Sequence, residues 1–66
     1  MIKNDTELNS TQERIVLFER LLAEARKTYS ASNYKAMAEG YLLQIDQMQA
    51  DIRAYLSHLP DPSEAA

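Results

Sequence analysis

The sequence predicts an all-α protein, an antiparallel two-helix hairpin that dimerises into a four-helix bundle. The hairpin is predicted by two stretches in which apolar residues recur at spacings of three and four, and by a short cluster of loop-forming residues between them. The dimer is predicted by the length of 66 residues without any cysteine. So small a chain buries little apolar surface by itself and here has no disulfide to compensate.

The first helix is predicted over residues 11–29. Ser10 or Thr11 is placed to cap it, and Ser10 with Glu13 has the spacing of a capping box, in which each of the two side chains accepts a hydrogen bond from a free backbone N–H. The apolar stripe of this helix alternates spacings of three and four. It consists of Ile15, Phe18, Leu22, Ala25 and Tyr29.

The second helix is predicted over residues 34–58, after the loop-forming sequence Ser-Ala-Ser-Asn at 30–33. Ser32 or Asn33 is its expected N-cap. Pro60 ends it, because proline lacks the backbone N–H and clashes with the preceding turn. The apolar stripe of this helix spans three heptads and consists of Ala38, Tyr41, Ile45, Met48, Ile52, Tyr55 and Leu59.

A single long helix is the alternative to a hairpin, and the positions of the two stripes argue against it. The second stripe is offset by two positions from the first, which is about 200° around a helix with 100° per residue. A straight helix would place its stripes on nearly opposite sides, whereas a turn lets them face each other. The predicted organisation is an extended segment over 1–9, a helical hairpin over 10–59 and a flexible tail over 60–66.

Each apolar stripe is wider than the single line of contact that two helices share. Leu17, Leu21, Leu42 and Leu56 lie on the flanks, where a lone hairpin leaves them partly exposed. A second copy would cover them, as in a four-helix bundle. Gly40 lies within the second helix and indicates either a close approach of another backbone or a tolerated surface glycine. The predicted oligomer interface consists of Ile15, Phe18, Leu22, Tyr41, Ile45, Met48, Ile52 and Tyr55.

No catalytic residue, cofactor site or metal site is predicted. His58 is the only histidine, and its position in the last turn of the second helix suits a residue that complements the helix dipole. Glu39, Asp46 and Asp51 lie off the apolar stripe, which favours a solvated face. A di-iron site in a helix bundle would also need Glu-x-x-His pairs, and the sequence contains none.

The net charge and the hydropathy of the chain indicate which classes of partner are not expected and where in the cell the protein is expected. The formal net charge of -3 disfavours nucleic acid, whose binding depends on clustered lysine and arginine. The polar N-terminal residues lack the apolar core of a signal peptide, and no run approaches the roughly 18 apolar residues of a membrane span. We therefore expect a cytoplasmic protein that binds neither nucleic acid directly nor a membrane.

Four features together are similar to those of a known family. They are Ile-Lys-Asn at 2–4, Thr11 before the first helix, Phe-Glu at 18–19 with a leucine after it, and IDQMQADIRAY at 45–55. Over about residues 2–56 the chain resembles the N-terminal helical hairpin segment of bacterial antitoxin-type helix-turn-helix (XRE-like) regulators. In that family a DNA-binding domain follows, and we expect this chain to end where that domain would begin. The resemblance implies an oligomerising or partner-binding hairpin that stands alone.

Two functions are compatible with these expectations. The first is a small non-enzymatic helical protein that associates with itself and acts as an oligomerisation or protein-interaction module, possible partners being a second copy and a protein that shares the same segment. The second is an antitoxin-like or transcription-linked regulator that binds one specific protein partner. An enzyme is not expected, because no constellation of residues supports one.

Overall fold

The computed structural model describes residues 1–59, which form two helices, α1 (Asp5–Thr28) and α2 (Ala31–Ser57). The helices pack against each other and no strand occurs among residues 1–59. Phe18 contacts Tyr41 near the middle of the pair, and Tyr55 contacts Asp5 at the end away from the turn. The helices are therefore antiparallel, and the predicted all-helical class is confirmed. The predicted tail over 60–66 lies outside the described residues.

Helix α1 begins at Asp5, so the predicted start near residue 11 is wrong. The N-cap is Asn4, whose side-chain oxygen accepts a hydrogen bond from the backbone N–H of Glu7 at 2.8 Å. The Glu7 carboxylate in turn accepts from the backbone N–H of Lys3 at 3.3 Å. These two bonds satisfy free donors at the helix start, in the manner of a capping box.

The N-terminal stretch contains two such spacings of a capping residue and a glutamate, Asn4 with Glu7 and Ser10 with Glu13, and the one further upstream begins the helix. Ser10 and Glu13, predicted as the capping pair, lie inside α1 and are exposed. Thr11 is also helical, and its hydroxyl donates to the backbone oxygen of Glu7 at 2.8 Å. The segment predicted to be extended over 1–9 is therefore helical from Asp5 onwards.

The connection between the helices is shorter than predicted and consists of Tyr29 and Ser30 alone. Both have extended backbone conformations, with φ and ψ of -96° and 150° at Tyr29 and of -65° and 160° at Ser30. No residue in the range 1–59 has a positive φ. The chain thus reverses direction without a residue in the left-handed region, which explains why no glycine is needed here.

Helix α2 begins at Ala31, and its N-cap is Ser30 rather than the predicted Ser32 or Asn33. The Ser30 hydroxyl oxygen accepts a hydrogen bond from the backbone N–H of Asn33 at 3.3 Å. Three capping residues therefore compete in this stretch, and the first of them is used because two connecting residues suffice to reverse the chain. The predicted four-residue loop over 30–33 is wrong in length, although its location is right.

At its other end α2 stops at Ser57, one position before the predicted end. His58 is the C-cap, and its backbone N–H donates to the backbone oxygen of Tyr55 at 3.2 Å. Leu59 lies beyond the helix with 87% of its surface exposed, so it does not extend the apolar stripe of α2 as predicted. Tyr29 likewise fails to extend the stripe of α1, because it belongs to the connection and is 49% exposed.

The core is one line of side chains between α1 and α2. Its central cluster of buried residues is Ile15, Leu22, Ala38 and Ile45, and the partly buried side chains packed against them are Phe18, Tyr34, Met37, Tyr41, Met48 and Ile52. Ile2 and Ala25 are also buried. The rings of Phe18 and Tyr41 meet edge to face at a centroid distance of 5.2 Å. No large side chain among residues 1–59 is fully buried. The core is therefore thin, as two helices alone would make it.

The cap assignment predicts different effects for Asn4 and Ser10. We expect Asn4→Ala to lower the free energy of unfolding by about 1 kcal/mol, because the N–H of Glu7 loses its acceptor. Ser10→Ala should change it by less than about 0.5 kcal/mol, because alanine suits an exposed position inside a helix. Urea unfolding followed by circular dichroism measures both. A larger loss for Ser10→Ala would place the helix start where the sequence alone predicted it.

Candidate interaction surface

The eight residues predicted as an oligomer interface all lie on the sides of α1 and α2 that face each other. Three of them are buried within the hairpin: Ile15, Leu22 and Ile45. Four more pack against these as partly buried side chains: Phe18, Tyr41, Met48 and Ile52. The contacts that these residues make in the structure are therefore contacts between the two helices of one chain.

The eighth residue, Tyr55, joins the two helices at the open end of the hairpin. Its hydroxyl donates a hydrogen bond to Oδ1 of Asp5 at 2.6 Å. A hydrogen bond to a charged acceptor is stronger than one between neutral groups. The amino group of Met1 lies 3.8 Å from Asp51 at this end, with both groups exposed, so that pair contributes little.

Large apolar side chains remain exposed on the flanks of the hairpin, as predicted. The exposed fraction is 63% for Leu17, 42% for Leu21, 49% for Leu42 and 62% for Leu56. A lone hairpin cannot cover these positions, because each lies beside the line of contact and not on it. Two further exposed side chains on the helices, Val16 and Leu43, lie farther from that line.

The exposed residues that flank the two stripes form two opposite faces of the hairpin, and Leu43 lies on neither of them. We define the Leu21 face as the set of positions that immediately precede a stripe residue. On each helix these positions lie about 100° to one side of the stripe. On α1 these are Arg14, Leu17, Leu21, Glu24 and Thr28, and we add Ser10, which precedes Thr11, four residues before Ile15. On α2 they include Met37, Gly40, Gln44 and Gln47. A shallow depression lined by Leu21, Glu24, Thr28 and Met37 shows that the two helices share this face.

The Leu56 face comprises the positions that immediately follow each stripe residue. On α1 these are Val16, Glu19, Ala23 and Arg26, with Gln12 in the same row towards the N-terminus, and on α2 they include Leu42, Asp46, Gln49, Arg53 and Leu56. A second shallow depression lies on this side, between Gln49, Arg53 and Leu56. Both depressions are open surfaces rather than enclosed cavities, so they suit contact with another protein surface better than capture of a small molecule.

Gly40 lies on the Leu21 face in the interior of α2, with an ordinary helical conformation. A Cβ atom added at this position would meet nothing within 4 Å. Neighbouring atoms of the hairpin therefore do not require a glycine here. The two predicted explanations, a tolerated surface glycine and a close approach by the backbone of another chain, are both compatible with this open space.

The residues considered for chemistry are dispersed. No group of three histidine or acidic side chains within residues 1–59 is arranged to hold a metal ion. Glu39, Asp46 and Asp51 are exposed, and His58 is exposed at the end of α2. Neither helix described for residues 1–59 has the length and apolar character needed to cross a membrane. The features of this surface that require explanation are therefore the exposed leucines.

Comparison with known proteins identified no relative of this chain. No protein-family model, no curated protein and no solved structure matches the chain.

Proposed function

We propose that this protein is a small non-enzymatic interaction module that acts by self-association, as a homodimer of two hairpins packed into a four-helix bundle. The observation that carries this proposal is the exposure of leucines on both sides of a core only one side chain thick. Two-fold homodimers are the commonest closed assembly of soluble chains. Cysteine is absent, which is compatible with function in the reducing cytoplasm.

The energetic reason for association is the small amount of apolar surface that one hairpin buries. Fully burying a leucine contributes roughly 1.5–3 kcal/mol relative to leaving it exposed. Leu17 and Leu56 remain mostly exposed to solvent in the hairpin, with exposed fractions of 63% and 62%. Domains of this size rarely obtain more than about 3–5 kcal/mol from a single core. Covering one leucine-bearing face is therefore a large fraction of the stability available.

A second candidate function is that of an antitoxin-like or transcription-linked regulator that binds a specific protein. It is favoured by the presence of leucines on two opposite faces, because a dimer formed through one face leaves the other available. The resemblance to the N-terminal hairpin of antitoxin-type regulators also supports it, with the partner a protein that carries a similar segment. Direct binding to nucleic acid is not part of either proposal, since the net charge is -3.

Self-association makes folding depend on protein concentration. We expect the melting temperature of the wild-type chain to rise as its concentration is raised, because mass action shifts folded hairpins into the dimer and so stabilises the folded state. Circular dichroism at 222 nm, at about 5 to 500 μM protein, measures this shift. Sedimentation equilibrium over the same range should give the mass of two chains. A folded species with the mass of one chain at every concentration contradicts the proposal.

A further inference from the structure

We infer that a second copy of this chain docks on the Leu21 face, with the two α1 helices antiparallel about a two-fold axis at the level of residue 19. Leu17 then packs against the partner's Leu21, and Arg14 lies beside the partner's Glu24. This inference rests on the proposed self-association and specifies the face and the register through which it occurs.

The Leu21 face is complementary to itself because of the order of its side chains along α1. From the N-terminal end the face presents Ser10, Arg14, Leu17, Leu21, Glu24 and Thr28. Counted outwards from residue 19, leucine is matched by leucine, a positive charge by a negative charge, and one small hydroxyl residue by another. A two-fold axis at that level brings each side chain next to its match on the other copy, since two-fold interfaces are self-complementary. Each homodimer then contains the Arg14–Glu24 contact twice.

These side chains are available for such contacts. Leu17 and Leu21 are 63% and 42% exposed. Arg14 is exposed and makes no hydrogen bond or ion pair within residues 1–59. Glu24 is 75% exposed and pairs only with Lys27 of its own helix at 3.3 Å, through Oε1. An exposed pair of this kind contributes little, so Glu24 can accept an arginine from another chain.

Helix α2 presents a compatible surface on the same face. Its central positions are the uncharged Gly40 and Gln44, which are equally spaced about residue 42. The contact between Phe18 and Tyr41 places residue 41 of α2 opposite residue 18, so residue 40 lies about level with the centre of the α1 pattern at residue 19. The two centres therefore differ by about two residues, or 3 Å along the helix, and an axis at the level of residue 19 passes close to Gly40. The open space at Gly40 lets the second copy approach there.

The Leu56 face lacks this complementarity. The central residue of its α1 half is Glu19. An axis at the same level would place Glu19 against the partner's Glu19, and like charges brought together across an interface oppose binding. The charge arrangement thus favours the Leu21 face as the dimer contact and leaves the Leu56 face for a different role.

Charge reversal tests the Arg14–Glu24 contact between copies. We expect Arg14→Glu and Glu24→Arg each to weaken self-association by about tenfold at low salt, because each converts two attractive contacts per dimer into two repulsive ones. An equimolar mixture of the two variants should associate as strongly as the wild type, since both contacts in the mixed dimer again join opposite charges. Sedimentation velocity on each variant and on the mixture measures this, with circular dichroism to verify helix content.

Recovery in the mixture can only come from contact between chains, because each variant carries a single substitution. Arg14 and Glu24 are also about 15 Å apart along α1, too far for direct pairing within one helix. The matched controls are Glu19→Arg and Arg53→Glu on the Leu56 face, which make the same changes in net charge. We expect these controls to self-associate like the wild type.

The outcomes separate the two proposals. A wild-type chain that is a folded monomer at all concentrations overturns the proposed self-association and this inference together. A wild-type dimer whose affinity is unchanged by Arg14→Glu and Glu24→Arg, or is not restored in the mixture, overturns the inference alone. Weakening by Glu19→Arg or Arg53→Glu, with no effect of the Leu21-face variants, places the second copy on the Leu56 face and also overturns it.

Discussion

The Ile45→Asp variant should be largely unfolded at every protein concentration. Ile45 is 6% exposed and belongs to the buried cluster at the middle of the hairpin. An aspartate there would place a charge among aliphatic side chains, and no buried polar group within residues 1–59 could pair with it. Such burial costs several kcal/mol at least, which is comparable to the whole stability of a small domain. Circular dichroism would show the loss of helix.

Two further variants calibrate this result. Ile52→Asp should destabilise the hairpin less, because Ile52 is only partly buried and its new carboxylate can reach water. Glu19→Gln, at an exposed position, should retain the wild-type spectrum and melting temperature. An Ile45→Asp protein that melts like the wild type would show that this side of α2 is not packed against α1.

The adjacent residues Leu21 and Leu22 should respond differently to truncation. Leu22 is 5% exposed and belongs to the core between α1 and α2. We expect Leu22→Ala to lower the free energy of unfolding by about 2–5 kcal/mol, through lost burial and the cavity left behind. Leu21 is 42% exposed in the hairpin, so Leu21→Ala should act mainly on the dimer. Its destabilisation should therefore depend on protein concentration.

Urea unfolding at low and high protein concentration distinguishes the two effects. For Leu22→Ala, a large shift of the midpoint relative to the wild type should be present at both concentrations. For Leu21→Ala, the shift should be small at low concentration, where the dimer contributes little, and larger at high concentration. Equal shifts for Leu21→Ala at both concentrations would show that this side chain stabilises the hairpin and not the dimer.

The positions of the core residues could be predicted from the sequence, whereas the ends of the helices could not. A spacing of three and four identified Ile15, Leu22, Ala38 and Ile45, because only side chains at that spacing stay on one side of a helix. Helix ends depend on capping side chains, and this sequence has several in succession. Asn4 precedes Ser10 as a cap of α1, and periodicity alone does not rank such competing residues.

The partner of an apolar stripe also cannot be deduced from the stripe itself. The same spacing serves contact between two helices of one chain and contact between two copies, so the stripe alone does not tell whether Phe18, which packs within the hairpin, also contacts a second copy. Exposure of Leu17 and Leu21 was predictable from their offset. The match of Arg14 with Glu24 becomes apparent only once both are known to lie on one face. Buried Ile2 was missed because it precedes the periodic pattern.

Because the connection has only two residues, contacts between the helices near the turn cost less chain entropy than contacts at the open end. Leu22 and Ala38 are separated by about 16 positions, whereas Tyr55 and Asp5 are 50 apart. Closing the longer loop costs about 1 kcal/mol more in chain entropy. We therefore expect the contacts between the helices to form first near the turn and last near Asp5, and to break in the reverse order. Backbone amides at the open end should then exchange with solvent faster than amides near the turn, and proteases should cleave the chain there first.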